Sequence, residues 1–269
     1  MDFLGGMATS SLARSEALAE RISTTALRSV ISDLPKAPSL VLATFDLIGE
    51  VKWRSPSEGR LGRSPQDLVE STVDRVRAYA KAGVAAISVL TEPERFGGSM
   101  SLLSHSAAIS PVPVMRKDFL VRPNQVLEAR AAGAGGVLLI AKILDDATLS
   151  EMLSVADELG LFVLLEAFDE VDLARIGQTH RPGKVLVGLN TRDLVSLAVD
   201  TGRLSALRDA MPTDCVTVAE SGMYSADDVG KSAELGYDLA LVGSALMGRE
   251  DPSDLIHDML RQGRACRCL

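Results

Sequence analysis

The chain has 269 residues, of which 46% are hydrophobic and only 4% aromatic, and its formal net charge at pH 7 is −8. This length and aliphatic composition suit one large α/β domain better than two small ones. An acidic chain carries no dominant basic face, so the composition excludes general binding to nucleic acid or to an anionic membrane surface. Any anionic ligand therefore needs a local site.

The cysteine content and the chain ends indicate a cytoplasmic protein. Three cysteines, Cys215, Cys266 and Cys268, are too few for a disulfide framework and favour a reducing compartment. Residues 1–30 lack an uninterrupted apolar segment, and no apolar run reaches the length that spans a membrane. The final CRCL has the outline of a prenylation box, but Arg267 stands where an aliphatic residue is expected. We therefore expect a solvated tail over residues 263–269.

An N-terminal helical extension is predicted for residues 1–46. The segment SLARSEALAERISTTALRSVISDL has the spacing of one amphipathic helix, with an apolar stripe formed by Leu12, Leu18, Ile22, Leu27 and Ile31. We expect this helix to pack over one end of the domain that follows.

Eight short apolar runs follow the extension, at 47–52, 85–91, 112–116, 137–143, 161–167, 185–190, 216–220 and 239–246. The stretches between them have helical spacing and start signals, such as Ser64-Pro65 and Arg122-Pro123-Asn124. A glycine suited to a left-handed C-cap precedes several runs, namely Gly83, Gly133, Gly160 and Gly236. Eight evenly spaced strand–helix units predict a (β/α)8 TIM barrel over residues 47–262, with a doubly wound sheet as the alternative.

Polar residues close each apolar run, where the active site of such a barrel lies. They are Glu50 and Lys52, Thr91 and Glu92, Arg116 to Asp118, Lys142, Glu166, Asn190 and Arg192, Glu220 and Ser221, and Gly243 and Ser244. One Glu–Lys pair inside a barrel is as often a structural charge pair as a functional one. Several charged groups at one rim favour function, because they are costly to desolvate and shift each other's pKa values.

The last two strands predict a phosphate site. ESGM at 220–223 and VGSALM at 242–247 place small residues directly after a strand. This part of the barrel commonly supplies backbone N–H groups to a phosphate, although ordinary loops also use Gly and Ser. A phosphorylated ligand at Gly222, Gly243 and Ser244 is therefore expected.

Metal and cofactor signals are weak. His105, His180 and His257 are scattered along the chain, and Cys266 and Cys268 lack partners at metal-binding spacing. GAGG at 133–136 precedes a strand and lacks the GxGxxG spacing, so helix capping explains it. We expect neither a metal nor a cofactor.

One motif per strand resembles the strand-end motifs of the indole-3-glycerol-phosphate synthase family, in the same order. The motifs are EVKWRSPSEG (50–59), ISVLTEPERFGGS (87–99), PVMRKDFLV (113–121), VLLIAKIL (137–144), LLEAFDE (164–170), VGLNTRDL (187–194), VAESGM (218–223) and LVGSALM (241–247). The match spans about residues 47–250. Other phosphate-binding barrels, such as phosphoribosylanthranilate isomerase, share only the pattern of the last two strands, so the resemblance is specific.

The resemblance implies a carboxy-lyase of tryptophan biosynthesis that acts on 1-(2-carboxyphenylamino)-1-deoxyribulose 5-phosphate by ring closure, decarboxylation and dehydration. Lys117 resembles the general acid that protonates the ketone during ring closure. Glu166 resembles the group that handles the charge on the anilino nitrogen and the departing proton or hydroxyl. Glu50 and Lys52 resemble the acid–base pair of the dehydration. The order in which Glu50, Lys52 and Glu166 transfer protons stays open.

The remaining implied site residues bind and position the substrate. Asn190 resembles the residue that holds the sugar hydroxyls, and Arg192 and Ser221 resemble groups that position the carboxylate. The aryl wall is implied at Phe96, Phe119 and Leu138, further substrate contacts at Ser55, Leu194 and Glu220, and the phosphate contacts at Gly222, Gly243 and Ser244. The resemblance implies no cofactor, and it allows association with other enzymes of tryptophan biosynthesis.

Two departures from the family pattern affect the N-terminal extension and the loop after the first strand, and two functional alternatives also stay open. TTALRSVISDLPKAPS stands where the family has a Lys-Arg-rich stretch, and Trp53-Arg54 replaces small basic residues after Lys52. One alternative is a paralogue that acts on a substituted anthranilate derivative in specialised metabolism. The other is a barrel that binds a phosphorylated ligand without turnover. Glu50, Lys52, Lys117, Glu166 and Asn190 are all present, which argues against the barrel without turnover. A protein that has lost its activity tends to lose charged groups by mutation, because they are costly to bury.

Overall fold

The computed structural model describes residues 2–57, 59–61, 68–193 and 196–267. Within them, eight parallel strands form a closed barrel. Each strand pairs with the next one along the chain, and the last strand, β8, pairs with β1. The strands are β1 Asp46–Val51, β2 Ala86–Leu90, β3 Val114–Lys117, β4 Gly136–Ile140, β5 Phe162–Ala167, β6 Val185–Asn190, β7 Val216–Glu220 and β8 Leu239–Val242. The predicted TIM barrel is confirmed, and the doubly wound alternative is wrong.

Helices connect the strands and cover the outside of the barrel. They are α1 Phe3–Arg21, α2 Thr24–Ser32, α3 Leu68–Lys81, α4 Met100–Ile109, α5 Pro123–Ala131, α6 Asp146–Glu158, α7 Glu170–Gln178, α8 Gly202–Ala206, α9 Ala226–Glu234, α10 Ser244–Met247 and α11 Ser253–Arg267. Arg122 caps α5, as its sequence predicts. The start signal Ser64-Pro65 lies outside the described residues.

Four helices end where a glycine was predicted to reverse the chain. The backbone φ angles are 94° at Gly83, 91° at Gly133, 67° at Gly160 and 90° at Gly236. These values lie in the left-handed region, which residues that carry a Cβ rarely adopt. The predicted C-caps are therefore confirmed.

Two predicted strands are shorter than their apolar runs. β4 ends at Ile140, the last residue that pairs with β5, and Ala141–Ile143 form a 3₁₀ turn. β8 ends at Val242, and α10 buries Leu246 and Met247 against the barrel. An apolar run marks buried residues, and at the barrel rim a short helix buries them as well as a strand does.

The N-terminal extension forms two helices, so the prediction of one long helix is wrong. Ile22 has an extended backbone, and the Ser23 hydroxyl accepts a hydrogen bond from the Ala26 N–H at 3.2 Å to begin α2. Of the predicted stripe, only Leu18 and Leu27 are buried. The buried face of α1 is instead formed by Leu4, Met7, Ser11, Ser15 and Leu18.

The C-terminal residues also differ from expectation. Residues 263–267, predicted as part of a solvated tail, continue α11, and Cys266 is buried. Arg264 pairs with Asp46 at the start of β1 at 2.8 Å, and Arg267 pairs with Asp238 at 2.9 Å. These two ion pairs hold the last turns of α11 against the barrel. None of the helices described is long and apolar enough to cross a membrane.

The barrel interior is packed by side chains from alternate strand positions. Ile48, Met115, Leu164, Leu186 and Leu241 belong to one apolar cluster inside the barrel, while the opposite strand faces pack against the helices. Alternate residues of a strand point to the same face. The same alternation therefore turns the polar residues at the C-terminal strand ends inward, and this places the candidate site.

Candidate active site

A cavity opens at the C-terminal ends of the strands and holds about 1020 Å³, including its open mouth. The residues predicted for the site that line it are Glu50, Lys52, Ser55, Phe96, Lys117, Phe119, Leu138, Glu166, Asn190, Arg192, Glu220, Ser221, Gly222, Gly243 and Ser244. The remaining one, Leu194, lies outside the described residues. The strand-end residues therefore meet in one place.

Glu50 and Lys52 form a close ion pair at the end of β1. Lys52 Nζ lies 2.9 Å from Glu50 Oε1, and both side chains line the cavity. Burial raises the pKa of Glu50, but the positive charges of Lys52 and Lys117 outweigh burial and hold the pKa below its usual value. Glu50 is therefore ionised at neutral pH, which is the state that a base or an electrostatic partner requires.

Lys117 lies at the end of β3 among carboxyl groups from other strands. Its Nζ is 3.2 Å from Glu166 Oε2 and 3.6 Å from Glu220 Oε2. Burial lowers the pKa of Lys117, but Glu166, Glu220 and Glu50 outweigh burial and raise the pKa above its usual value. Lys117 therefore stays protonated in the unliganded site, and it holds a proton that it can donate.

Glu220 is the least satisfied of the buried carboxyl groups. Among the described residues no donor hydrogen-bonds to either of its oxygens, and its side chain is 1% exposed. Burial, followed by the charge of Glu166, raises its pKa well above the usual value. The positive charge of Lys117 acts in the opposite direction and lowers the pKa of Glu220. Gly188 leaves the space for it, because a Cβ there would lie 2.0 Å from Glu220 Oε1.

Asn190 and Ser221 form a polar pair between β6 and β7. Ser221 Oγ donates to Asn190 Oδ1 at 2.8 Å, and the Arg192 backbone N–H donates to the same oxygen at 3.0 Å. The Asn190 amide NH₂ is left as the donor toward the cavity. Ser221 has a left-handed backbone, with φ 67°, a strained conformation that is enriched at functional sites.

Arg192 ties together two loops at the cavity mouth. Its Nη1 donates to the Leu197 carbonyl at 2.8 Å and to Ser57 Oγ at 3.0 Å. Ser57 Oγ in turn lies 2.9 Å from Ser55 Oγ. The loop after β6 is therefore linked to the loop after β1, and the guanidinium stays beside the cavity.

Aromatic rings form the opposite wall. Phe119 lies between Phe3 of α1 and Phe96, with ring centroids 6.0 Å apart in each pair. Leu138 and Phe168 extend the apolar surface into the barrel. A planar aromatic ligand can stack in this part of the cavity.

The predicted phosphate end of the cavity is built from small residues. Gly222 has φ 81°, and a Cβ there would lie 2.4 Å from Thr201 Cγ2. A Cβ at Gly243 would lie 2.5 Å from Glu50 Oε1. Neighbouring side chains approach the backbone closely at these two points only because both residues are glycines. Ser244 begins α10 directly after Gly243.

Several cavity residues were not predicted, among them Phe3, Leu4, Ser57, Phe168, Leu197 and Tyr224. Phe168 follows Glu166 by two positions, so strand alternation could have found it. Phe3 and Leu4 come from α1, and no periodic signal in the sequence connects that helix to the rim. Among the described residues no group of three or more His, Cys, Asp or Glu side chains is arranged to hold a metal ion.

The arrangement combines three features in one cavity. Lys52, Lys117 and Arg192 supply positive charge for an anionic ligand, the phenylalanine wall suits an aromatic ring, and the carboxyl groups beside Lys117 suit proton transfer. Acid–base chemistry on a phosphorylated aromatic compound is consistent with all three.

Comparison with solved structures shows the same fold. 3-Hexulose-6-phosphate synthase from Salmonella typhimurium superposes with a TM-score of 0.61 at 17% identity, over 82% of this chain and 100% of that chain. Thiamine phosphate pyrophosphorylase from Pyrococcus furiosus gives a TM-score of 0.59 at 15% identity, over 83% of this chain and 97% of that chain. At such low identity the likeness extends to the fold alone.

Sequence comparison identifies the family. A family model described as indole-3-glycerol phosphate synthase matches residues 13–259. A protein of Nocardioides sp. with that name is 42% identical over 249 residues, covering 90% of this chain and 93% of the relative. One from Micrococcus luteus is 41% identical over 214 residues, covering 80% and 77%. The chain belongs to the indole-3-glycerol phosphate synthase family.

Proposed function

We propose that this chain converts 1-(2-carboxyphenylamino)-1-deoxyribulose 5-phosphate to indole-3-glycerol phosphate, CO₂ and water. The observation that carries the proposal is the position of Lys117, which is half-buried beside Glu166 and Glu220 in a cavity walled by Phe96 and Phe119. A protonated amine at this place is next to where the ketone of an aryl-bound substrate would lie. Family membership supports the same reaction.

Ring closure is assigned to Lys117. The ring carbon that bears the carboxylate attacks the ketone carbon, and the carbonyl oxygen develops negative charge. Lys117 stabilises that charge and gives the oxygen its proton, because an alkoxide is more basic than an amine. Glu166, 3.2 Å from Lys117 Nζ, faces the positive charge that develops on the anilino nitrogen.

Decarboxylation and dehydration complete the indole. Loss of CO₂ restores the aromaticity of the benzene ring, and departure of the protonated hydroxyl as water with loss of a proton forms the pyrrole ring. Lys52 and the ionised Glu50 are 2.9 Å apart at this end of the cavity and form the acid–base pair for the dehydration. The order of proton transfers among Glu50, Lys52 and Glu166 stays open.

Binding is assigned to the rest of the cavity. Phe96, Phe119 and Leu138 hold the aryl ring, and Asn190 and Ser221 hold the sugar hydroxyls and adjacent polar groups. Arg192 balances the substrate carboxylate, while Ser55 and Glu220 contribute further polar contacts. Backbone N–H groups at Gly222, Gly243 and Ser244 receive the phosphate. We propose a cytoplasmic enzyme and leave its association with other enzymes of tryptophan biosynthesis as a prediction.

The direct test is incubation of the purified protein with this substrate while indole fluorescence and CO₂ release are recorded. We expect one CO₂ for each indole formed. Tight binding without turnover would support the non-catalytic barrel instead. Turnover confined to ring-substituted substrates would support the paralogue of specialised metabolism.

A further inference from the structure

We propose that Arg14, on α1 outside the barrel, is a positioning residue that fixes the two loops carrying Phe119 and Phe96 and thereby sets the affinity for the aryl part of the substrate. The inference rests on the proposed function, because the aryl ring is assigned to these two side chains. It goes beyond that function by assigning a specific role to a residue of the N-terminal extension.

The first contact of Arg14 is with the segment that follows the general acid. Arg14 Nη2 lies 2.7 Å from Asp118 Oδ1, and the Asp118 side chain is fully buried. The same carboxylate accepts the Phe119 backbone N–H at 2.8 Å and the Thr91 hydroxyl at 2.7 Å. Asp118 therefore holds the chain between Lys117 and Phe119, and Arg14 neutralises it from outside.

A second, longer contact reaches the neighbouring loop. Arg14 Nη1 lies 3.9 Å from Glu92 Oε1, and the Glu92 side chain is also fully buried. Glu92 accepts backbone N–H groups from Glu94 at 2.9 Å, Arg95 at 2.7 Å and Phe96 at 2.9 Å. This carboxylate therefore shapes the loop after β2 that presents Phe96 to the cavity.

The charges explain why Arg14 matters to both loops. Asp118 has a second cation, Arg116, at 3.3 Å, whereas the ion pairs of the described residues give Glu92 only Arg14. A buried carboxylate left without a cation is costly, so the loop that holds it shifts toward water. Such a shift moves Phe96 relative to Phe119, and displacements of about 1 Å at a binding site can cost up to about 10²-fold.

Arg21 on the same helix offers a matched control. Its Nη2 lies 3.5 Å from Glu128 Oε1, and its side chain is 74% exposed. Arg21 therefore ties α1 to the barrel without touching a cavity loop. In either variant the helix stays docked through Gln125 Nε2 to Ser11 Oγ at 2.9 Å and Ser15 Oγ to Asn124 Oδ1 at 2.7 Å.

The experiment compares Arg14→Leu, Arg14→Lys and Arg21→Leu with the parent in steady-state kinetics, inhibition by inorganic phosphate, and melting temperature. We expect Arg14→Leu to raise KM for the substrate by about tenfold, well within the limit for misplaced binding groups, with kcat changed less than about threefold. The inhibition constant of phosphate should not change, because phosphate binds at the opposite end. Arg21→Leu should leave all three kinetic quantities near those of the parent.

The outcomes separate the inference from the proposed function. Arg14→Lys keeps the charge but lacks the two-pronged guanidinium, so its KM should lie between those of the parent and Arg14→Leu. Equal KM values in the Arg14 and Arg21 variants would overturn the inference and leave the function standing. If Arg14→Leu does not fold, an unchanged KM in Arg14→Lys overturns it. If the parent protein shows no turnover, both the proposed function and the inference are wrong.

Discussion

Lys117 keeps its charge in a half-buried position because carboxyl groups from three other strands face it. Glu50 lies near the end of β1, Glu166 lies near the end of β5, and Glu220 ends β7. Burial alone would favour the neutral amine, and the three carboxyl groups reverse that preference. The amine is therefore held charged until a more basic atom arrives, and the alkoxide of the proposed ring closure would be such an atom.

Glu220 provides a prediction at the residue scale. Its pKa is raised by folding, so the folded protein binds this proton more tightly than the unfolded chain does. The contribution of Glu220 to the free energy of unfolding is fully present below the pKa of the unfolded chain, near 4.5. It is lost as the pH rises through the pKa of the folded protein. We expect Glu220→Gln to be more stable than the parent, by a margin that grows from pH 5 to pH 8 in thermal melts.

Glu50 gives the control of opposite sign. Folding lowers the pKa of Glu50. Its contribution to the free energy of unfolding is therefore present above the pKa of the unfolded chain and is lost as the pH falls through the pKa of the folded protein. The melting difference between the parent and Glu50→Gln should therefore shrink as the pH falls below about 4.5. Melting differences independent of pH in both variants would contradict the raised pKa of Glu220 and the lowered pKa of Glu50.

At the scale of the element, β1 delivers two charges to one cavity. The pair Glu50 and Lys52 would be purely structural if both could be replaced by apolar or neutral groups without loss of activity. We predict that the double variant, Glu50→Gln with Lys52→Met, keeps or raises the melting temperature, because both charges are removed together, while its single-turnover rate collapses.

The pattern of losses tests whether the pair acts together. The rate losses caused by replacing residues that act as one unit are not additive. Each single variant should therefore be nearly as slow as the double variant. The melting temperature and the rate should be measured on the same preparations. Stable variants with full turnover would return the pair to a structural role.

The junction of β8 and α10 gives a second element-scale prediction. Because a Cβ at residue 243 would lie 2.5 Å from Glu50 Oε1, Gly243→Ala should displace the carboxylate as well as crowd the phosphate. We expect both a lower kcat and weaker inhibition by inorganic phosphate. Gly248→Ala, at the other end of α10, is the control, because its Cβ would meet no atom closer than 3.4 Å. Equal kcat values and equal phosphate inhibition in the two variants would argue against the close approach of Glu50 and a phosphate to residue 243.

Element boundaries show what sequence patterns can predict. Strand number, order and the glycine caps follow from local signals, namely apolar runs and residues that tolerate a left-handed backbone. The break between α1 and α2 has a local signal too, since Ser23 can cap a helix, but helical spacing across it suggested one continuous helix. The ends of β4 and β8 depend on where strand pairing stops, which no local pattern contains.

At the scale of the whole molecule, the cavity draws on two kinds of residue. Strand-end residues such as Glu166 and Asn190 share the parity of the inward-facing core, so their convergence was predictable once a barrel was assumed. Phe3, Leu197 and Tyr224 reach the cavity through the docking of α1 and the course of loops. Those placements depend on tertiary contacts such as the pair between Arg14 and Asp118, which sequence spacing does not encode.

The measurement that tests the central claim most directly is the single-turnover rate of indole formation in Lys117→Ala. Lys142→Ala is the matched control, because Lys142 lies in the 3₁₀ turn directly after the next strand but pairs with Asp169 at 2.6 Å. Loss of a positioned general acid typically costs about 10²–10⁴-fold in rate. We predict a loss of at least that size in Lys117→Ala, with a parent-like circular dichroism spectrum, and a parent-like rate in Lys142→Ala. A Lys117→Ala variant that closes the ring at nearly the parent rate would contradict the account.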